Sequence, residues 1–241
     1  MNNEDSKIVI LVVDDSDLIR HSLKIFFLDY DFEVITCLDG LEGIQKAVTH
    51  KPNLILLDLL MPNLDGVKML QVIKLIDELK NIPVIIISGN TSKRNVLAAI
   101  EAGADRVISK PLQKELLIKT VNEILGGEYI TKTRKSTIIQ ESEDDDIRRQ
   151  LQSFFISSFP IKKQAILDSI QSKNKDLFKT IIHEIKGSGG TIGYPRITEL
   201  SIEIEKTMAK NPVDWSSIYL KCESIFAIVQ QIEFELSPKT Q

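Results

Sequence analysis

Five short apolar runs, each followed by a stretch with helical spacing, constrain this chain more than any other feature, and all five lie in its first half. Ile8–Val13, Phe32–Thr36, Asn53–Leu57, Pro83–Ile87 and Arg106–Ile108 read as strands. Three of them are apolar without a break, so both faces of each strand must be covered. That is the signature of a parallel sheet with helices on either side. Asp17–Leu28, Leu41–Thr49, Val67–Glu78, Lys93–Ala102 and Leu112–Leu125 are the predicted helices between them. Thr91 or Ser92 supplies a helix start, and Ala102-Gly103-Ala104 a stop. Five βα units in series predict an α/β doubly wound five-stranded parallel sheet. Ligands of such sheets gather beyond the carboxyl ends of the strands.

From Gly126-Gly127 the alternation lapses. Residues 127–143 read as a solvated linker, polar and basic at first and then acidic, with Asp144–Asp146 suited to the start of a following helix. Beyond it the predicted elements are all helices: Ile147–Phe159, Ile161–Ser172, Asp176–Ser188, Pro195–Lys210 and Val213–Leu236, with Pro160, Pro195 and Pro212 at boundaries. Long helices with short connections predict an all-α antiparallel helical bundle. The expected division is therefore 6–126, a linker at 127–143, and a bundle at 144–237.

Composition narrows the function. A hydrophobic content of 43% with 27% charged residues fits a soluble globular protein. A net charge of −4 supplies no overall positive field, so neither DNA nor an anionic membrane is an expected partner. No apolar run approaches the roughly 18 residues that span a bilayer. The polar start MNNEDSK is unlike a secretory leader, and Cys37 and Cys222 form no CxxC pair. These features predict a cytoplasmic protein with reduced thiols.

The strand ends carry chemistry. Asp14 and Asp15 close the first strand, Asp58 the third, Ser88 the fourth, and Ser109-Lys110 the fifth. Separately, Asp14-Asp15-Ser16 is a possible helix cap, Asp65-Gly66 a turn and Lys110-Pro111 a strand exit. Together they place three carboxylates, a hydroxyl and an ammonium on one rim. Crowded carboxylates repel one another, and a hard divalent cation such as Mg²⁺ relieves the repulsion. The cation and Lys110 would neutralise charge on a phosphoryl group in transfer, Ser88 would meet one of its oxygens, and Asp58 would be the nucleophile.

Residues 6–126 resemble the receiver domain of a bacterial response regulator, which has a flavodoxin-like fold. The D-x-x-M-P-x-x-D-G pattern running from Asp58 to Gly66 is matched throughout. The resemblance implies phosphorylation at Asp58, with Mg²⁺ (or Mn²⁺) held by Asp14, Asp15, Asp58 and the backbone carbonyl of Leu60. Asp15 is then the more direct ligand. It also implies a switch hydroxyl at Ser88 and a phosphoryl-stabilising lysine at Lys110, whose bond to Pro111 is often cis in the family. Val107 stands where many receivers carry a switching aromatic, so signalling through such a ring is not expected.

In the second half, Leu177, Phe178, Ile181, Ile182 and Ile185 form one apolar helical face, and His183 falls nearly opposite. Lys179, Lys186, Gly187 and Gly190 share its side. Gly187, Gly189 and Gly190 each cost a helix about 1 kcal/mol relative to alanine. A helix end explains one of them and not all three. Gly187, one turn beyond His183, opens steric access to the ring, and Lys186 supplies positive charge for a phosphoryl group. No second His or Cys stands at metal-ligand spacing, since His21 and His50 belong to the first half. Residues 144–237 resemble a histidine-containing phosphotransfer (HPt) domain through His183, Lys186, Gly187 and Ser188 of its H-x-x-K-G-S pattern, with the later glycine at Gly193. The resemblance implies phosphorylation of His183.

The combined expectation is a two-component phosphorelay protein, a phosphoryl-transfer intermediate rather than a kinase, since neither a kinase glycine box nor a P-loop is present. Asp58 would be loaded by a histidine kinase or upstream phosphocarrier, and His183 would exchange phosphate with a separate receiver or HPt protein. Exchange between the two residues of one chain is the other route. In the alternative reading, phosphorylation of Asp58 merely changes how the bundle docks on a partner. Leu60 is apolar where a polar side chain could orient an attacking water. The phosphorylated Asp58 is therefore expected to persist, and a phosphate-release assay should show little loss over seconds.

Overall fold

The structure is a computed structural model that describes residues 7–28, 30, 32–61, 64–89, 91–126 and 140–237, with side chains of the last segment described from residue 145. The chain divides into two units, Met1–Ile138 and Ile139–Gln241. Pro62 of the D-x-x-M-P-x-x-D-G pattern and most of the expected linker lie outside the described residues.

The first unit runs β1 (Val9–Val13), α1 (Asp17–Leu28), β2 (Glu33–Cys37), α2 (Gly40–His50), β3 (Leu54–Asp58), α3 (Gly66–Leu75), β4 (Val84–Ser88), α4 (Lys93–Glu101), β5 (Arg106–Ser109) and α5 (Lys114–Leu125). All neighbouring strands are parallel, in the order β2-β1-β3-β4-β5. The unbroken apolar runs divide their side chains between two cores, as the two-residue period of a strand requires. Leu11, Val13, Ile55 and Leu57 join Met69 and Ile73 of α3 on one face. Ile10, Val12, Leu54 and Leu56 join Leu23 and Phe27 of α1 and Val121 of α5 on the other. Every strand lies within one residue of its expected bounds. Helix α3 stops three residues short of expectation, because Ile76 turns extended and its N–H closes on the Ile73 carbonyl.

A close backbone approach fixes the loop after β3. Asp65 caps α3 by accepting from the Lys68 N–H at 2.9 Å. Gly66 then passes directly beneath the strand end, its N–H donating to the Leu59 carbonyl at 3.0 Å. A Cβ at Gly66 would stand 2.0 Å from the Asp58 carbonyl oxygen. Only glycine fits there.

The second unit has four described helices: α6 (Gln140–Ser172), α7 (Lys175–Thr191), α8 (Pro195–Met208) and α9 (Trp215–Leu236). Each packs on the next, and α9 returns to α6. Phe155, Phe178, Ile185, Ile197, Ile204 and Ile225 fill the centre. Cys222 belongs to this core and Cys37 to that of the first unit; burial pushes both thiols up to about 12.

Three expectations are corrected here. The break predicted at Pro160 is absent, and one helix of 33 residues runs through it. Proline inside a helix removes one hydrogen bond and costs about 3 kcal/mol. Yet Leu151, Phe155, Phe159 and Ile166 keep one buried face across the site, and each large side chain contributes roughly 1.5–3 kcal/mol. Pro160 itself faces outward. The same helix begins at Gln140, inside the segment expected to be linker, which sets Asp145 and Asp146 in its second turn rather than at its start. Leu177, expected on the apolar face, is exposed in the first turn of α7.

Replacing Gly66 by alanine forces the β3 end and the α3 start apart, and both contacts are backbone, which no rotamer change relieves. The expected loss is at least the roughly 1–3 kcal/mol of core overpacking, read as a shifted midpoint in urea denaturation.

Candidate functional site

Strand order brings five predicted residues, from the ends of four strands, to one rim. β1, β3, β4 and β5 are consecutive in the sheet, and the register sets Asp58 beside Ile87 and Ser88 beside Ser109. Asp14 and Asp15 follow β1, Asp58 ends β3, Ser88 ends β4, and Lys110 follows β5. The Lys110 N–H donates to the Ser88 carbonyl at 2.8 Å, and the Lys110–Pro111 peptide is cis. Ser88 is buried.

One ammonium organises the pocket. Lys110 Nζ stands 2.7 Å from Asp14 Oδ2 and 2.8 Å from Asp58 Oδ2, with all three side chains at 9% exposure or less. The other Asp14 oxygen accepts from the Ser16 N–H at 2.9 Å, and Asp58 Oδ1 accepts from the Leu60 N–H at 3.4 Å. Burial raises the Asp14 carboxyl above the ordinary range; Lys110 opposes this, and the Asp58 charge adds to it. Burial alone would lower the Lys110 ammonium, but the two carboxylates outweigh it and hold it above the usual lysine range. A single positive charge shared by two buried carboxylates leaves negative charge uncompensated. Asp15 and Asp58 bring carboxylate oxygens within 4.8 Å of one another. An all-oxygen set with surplus negative charge suits a hard divalent cation such as Mg²⁺ or Mn²⁺.

The second predicted site lies on α7. His183 is 26% exposed while Phe178, Ile181, Ile182 and Ile185 are buried, as the helical facing predicts. Lys186 Nζ stands 2.7 Å from Glu205 Oε1 and 3.0 Å from Oε2, and His183 Nδ1 stands 3.5 Å from Glu205 Oε1. Burial would raise the Glu205 carboxyl, but donors from His183 and Lys186 outweigh it and hold it below the ordinary range. Sequence reading missed Glu205. It is one of three glutamates on α8, and only packing separates it from Glu199, paired with Arg196, and Glu203, paired with Lys221.

The glycines of α7 have different causes. A Cβ at Gly189 would stand 2.6 Å from Thr198 Oγ1 and 2.8 Å from its backbone nitrogen, so Gly189 serves the close approach of α7 and α8. Among the described residues, nothing lies within 4 Å of where a Cβ at Gly187 would stand. Packing accounts for one and leaves the other without an internal reason.

Comparison with known proteins decides the family of the first unit. Residues 10–122 match the family model described as the response regulator receiver domain. Protein PilG of Pseudomonas aeruginosa is 30% identical over 121 residues, half of this chain and 90% of PilG. The chain belongs to the response regulator receiver family. The transcriptional regulatory protein PrrA of Mycobacterium tuberculosis is 35% identical over 130 residues, 54% of this chain and 55% of PrrA. The chain thus spans about half the length of the curated transcriptional regulators it matches. Among solved structures, the Vibrio cholerae chemotaxis protein CheY4 is 28% identical, covering 49% of this chain and 99% of that one, with a TM-score of 0.48. The family match ends at residue 122, before the helical unit. Receiver domains bind Mg²⁺ in an acidic pocket of this kind, here the one containing Asp15 and Asp58. Among the described residues, no helix is long and apolar enough to cross a membrane.

Removing the ammonium leaves two buried carboxylates facing each other. Lys110→Ala is therefore expected to cost roughly 3–5 kcal/mol in chemical denaturation without divalent cations. Adding Asp14→Asn should restore part of that loss, because it removes one of the two charges.

Proposed function

We propose that the chain is a phosphorelay carrier with two acceptors, Asp58 in the receiver unit and His183 in the helical unit. The carrying observation is the Asp58 carboxylate held at a strand end by Lys110, at 2.8 Å, within a pocket whose carboxylates outnumber its ammonium. Asp15, Asp58 and the Leu60 carbonyl would hold Mg²⁺ or Mn²⁺, with Asp14 anchoring Lys110 beside them. The cation, when bound, supplies charge neutralisation for a phosphoryl group. Lys110 fixes one Asp58 oxygen and leaves the other as the nucleophile, and it stays positively charged while charge builds on the incoming group. Ser88, buried at the end of the adjacent strand, supplies a hydroxyl from that side.

For the helical unit, a partly exposed histidine beside a lysine and above an unfilled glycine supports the role of a phosphoryl carrier. Gly187 leaves room for a partner's active-site rim, and Lys186, held by Glu205, keeps a positive charge beside the ring. Neither residue acts as a base. Partners of the proposed protein are a histidine kinase or upstream phosphocarrier on one side and a separate receiver or HPt protein on the other. DNA is not among them, since the net charge of −4 favours no polyanion.

Labelling tests the reading. Incubated with a candidate kinase and labelled ATP, the wild-type chain is expected to acquire both a base-labile and a base-stable label, because aspartyl phosphate is lost in base and phosphohistidine survives. Asp58→Asn should abolish the first. If it leaves base-stable labelling of His183 complete, Asp58 is not on the path to that histidine. If no base-stable label forms with any donor, the carrier role of His183 fails and the docking alternative replaces it.

A further inference from the structure

Resting on the reading of the acidic rim as a cation site, we infer that Arg20 is a positioning residue of that site: its guanidinium holds the peptide between Asp14 and Asp15 and so fixes the direction in which Asp15 meets the cation. Arg20 lies one turn into α1, and helical side chains lean toward the N-terminus of their helix. Its Nη1 donates to the Asp14 carbonyl and its Nη2 to Asp17 Oδ1. The Arg20 side chain is mostly buried, whereas that of Asp17 is exposed.

The carbonyl that Arg20 holds belongs to a planar unit whose other end is the Asp15 nitrogen. Two further bonds fix the same turn. The Asp14 N–H donates to the Cys37 carbonyl at 3.2 Å, and Asp14 Oδ1 accepts from the Ser16 N–H at 2.9 Å. The backbone of Asp15 is therefore tied on both sides. Asp14 is buried, and a buried carbonyl left without a donor is costly, so the bond from Arg20 is one the turn depends on.

Charge alone gives Arg20 no reason to stand there. A cation is disfavoured in the first turns of a helix, and another positive charge beside Lys110 opposes the uptake of a metal ion. Asp17 answers both, since it offsets the charge of the guanidinium and leaves the second arm on the Asp14 carbonyl. A planar fork meets two acceptors in fixed directions, which the point charge of an ammonium does not. The nearby Glu42 makes no claim on the guanidinium, being bound to Lys46 at 2.7 Å and to the Leu38 N–H at 3.0 Å. Arg20 thus acts on the site through geometry and against its own charge.

The test uses the full chain and Mn²⁺ alone, reading free Mn²⁺ by its EPR signal and counting the binding that Asp15→Asn removes. Arg20→Gln takes a positive charge away from a cation site. It is nonetheless expected to weaken Mn²⁺ binding by about tenfold or more, as loss of a group that orients a ligand does. Arg20→Lys keeps the charge without the fork, and its affinity should fall between those of Arg20→Gln and the wild type. If Arg20 acts through charge, Arg20→Gln will bind Mn²⁺ more tightly and Arg20→Lys like the wild type, and the inference is overturned. A lowered urea midpoint without cation, together with unchanged Mn²⁺ affinity of the folded chain, makes Arg20 a purely structural residue and overturns it as well. Should Arg20→Gln not fold, Arg20→Lys decides, and wild-type affinity there is the overturning result. A wild type in which Asp15→Asn removes no Mn²⁺ binding refutes the cation reading itself, which is a separate outcome.

Discussion

The Lys110 ammonium, buried between Asp14 and Asp58, is the interaction on which the receiver site depends. Its head lies 2.7 and 2.8 Å from the two carboxylates, at the end of the longest sequence separations in the pocket. In a medium of low dielectric, neither carboxylate could stay ionised without it. Yet one positive charge does not compensate two negative ones. Burial, with the Asp58 charge adding to it, raises the Asp14 carboxyl against the pull of Lys110, and the residual imbalance makes the rim receptive to a cation. The fold and the chemistry thus share one cause, since the strand order that buries the apolar runs also stacks these charges.

Much of this was legible in the sequence because the receiver sheet is apolar on both faces. Runs such as Leu54–Leu57 admit few structures other than a covered parallel strand, and a carboxylate placed immediately after one must emerge at its end. His183 was legible for the opposite reason, as a polar residue out of phase with a helical apolar stripe. Other features were not legible. Pro160 reads locally as a boundary, but the buried face formed by Phe155, Phe159 and Ile166 is a property of the assembled bundle and outweighs the missing hydrogen bond. Gly66 reads as a turn residue, whereas its contact with the Asp58 carbonyl exists only once α3 has packed under β3. Glu205 carries no local signal at all. Its neighbours Glu199 and Glu203 are chemically identical, and only packing against α7 distinguishes it.

The two sites are built on different physical principles. At Asp58 the charges are buried, close and few, so geometry is enforced by the cost of leaving any one of them unpaired. At His183 the groups are partly exposed and bound through a shared carboxylate, so the same kind of contact is weaker and more easily rearranged. A buried pocket suits chemistry that must hold charge in one place. A surface triad suits a group that must meet more than one partner.

The two glycines beside the proposed acceptors carry opposite information. The space at Gly66 is filled by the chain's own backbone, so the fold alone forbids any replacement, and a drifting sequence would keep that glycine for as long as the receiver folds. The space at Gly187 is filled by none of the described residues of the helical unit, where alanine would favour the helix. On the proposed carrier role, what holds glycine at 187 is the rim of a partner's active site. A lineage that lost the corresponding partner would be free to fill position 187 long before it changed position 66, so this one site records the history of another surface.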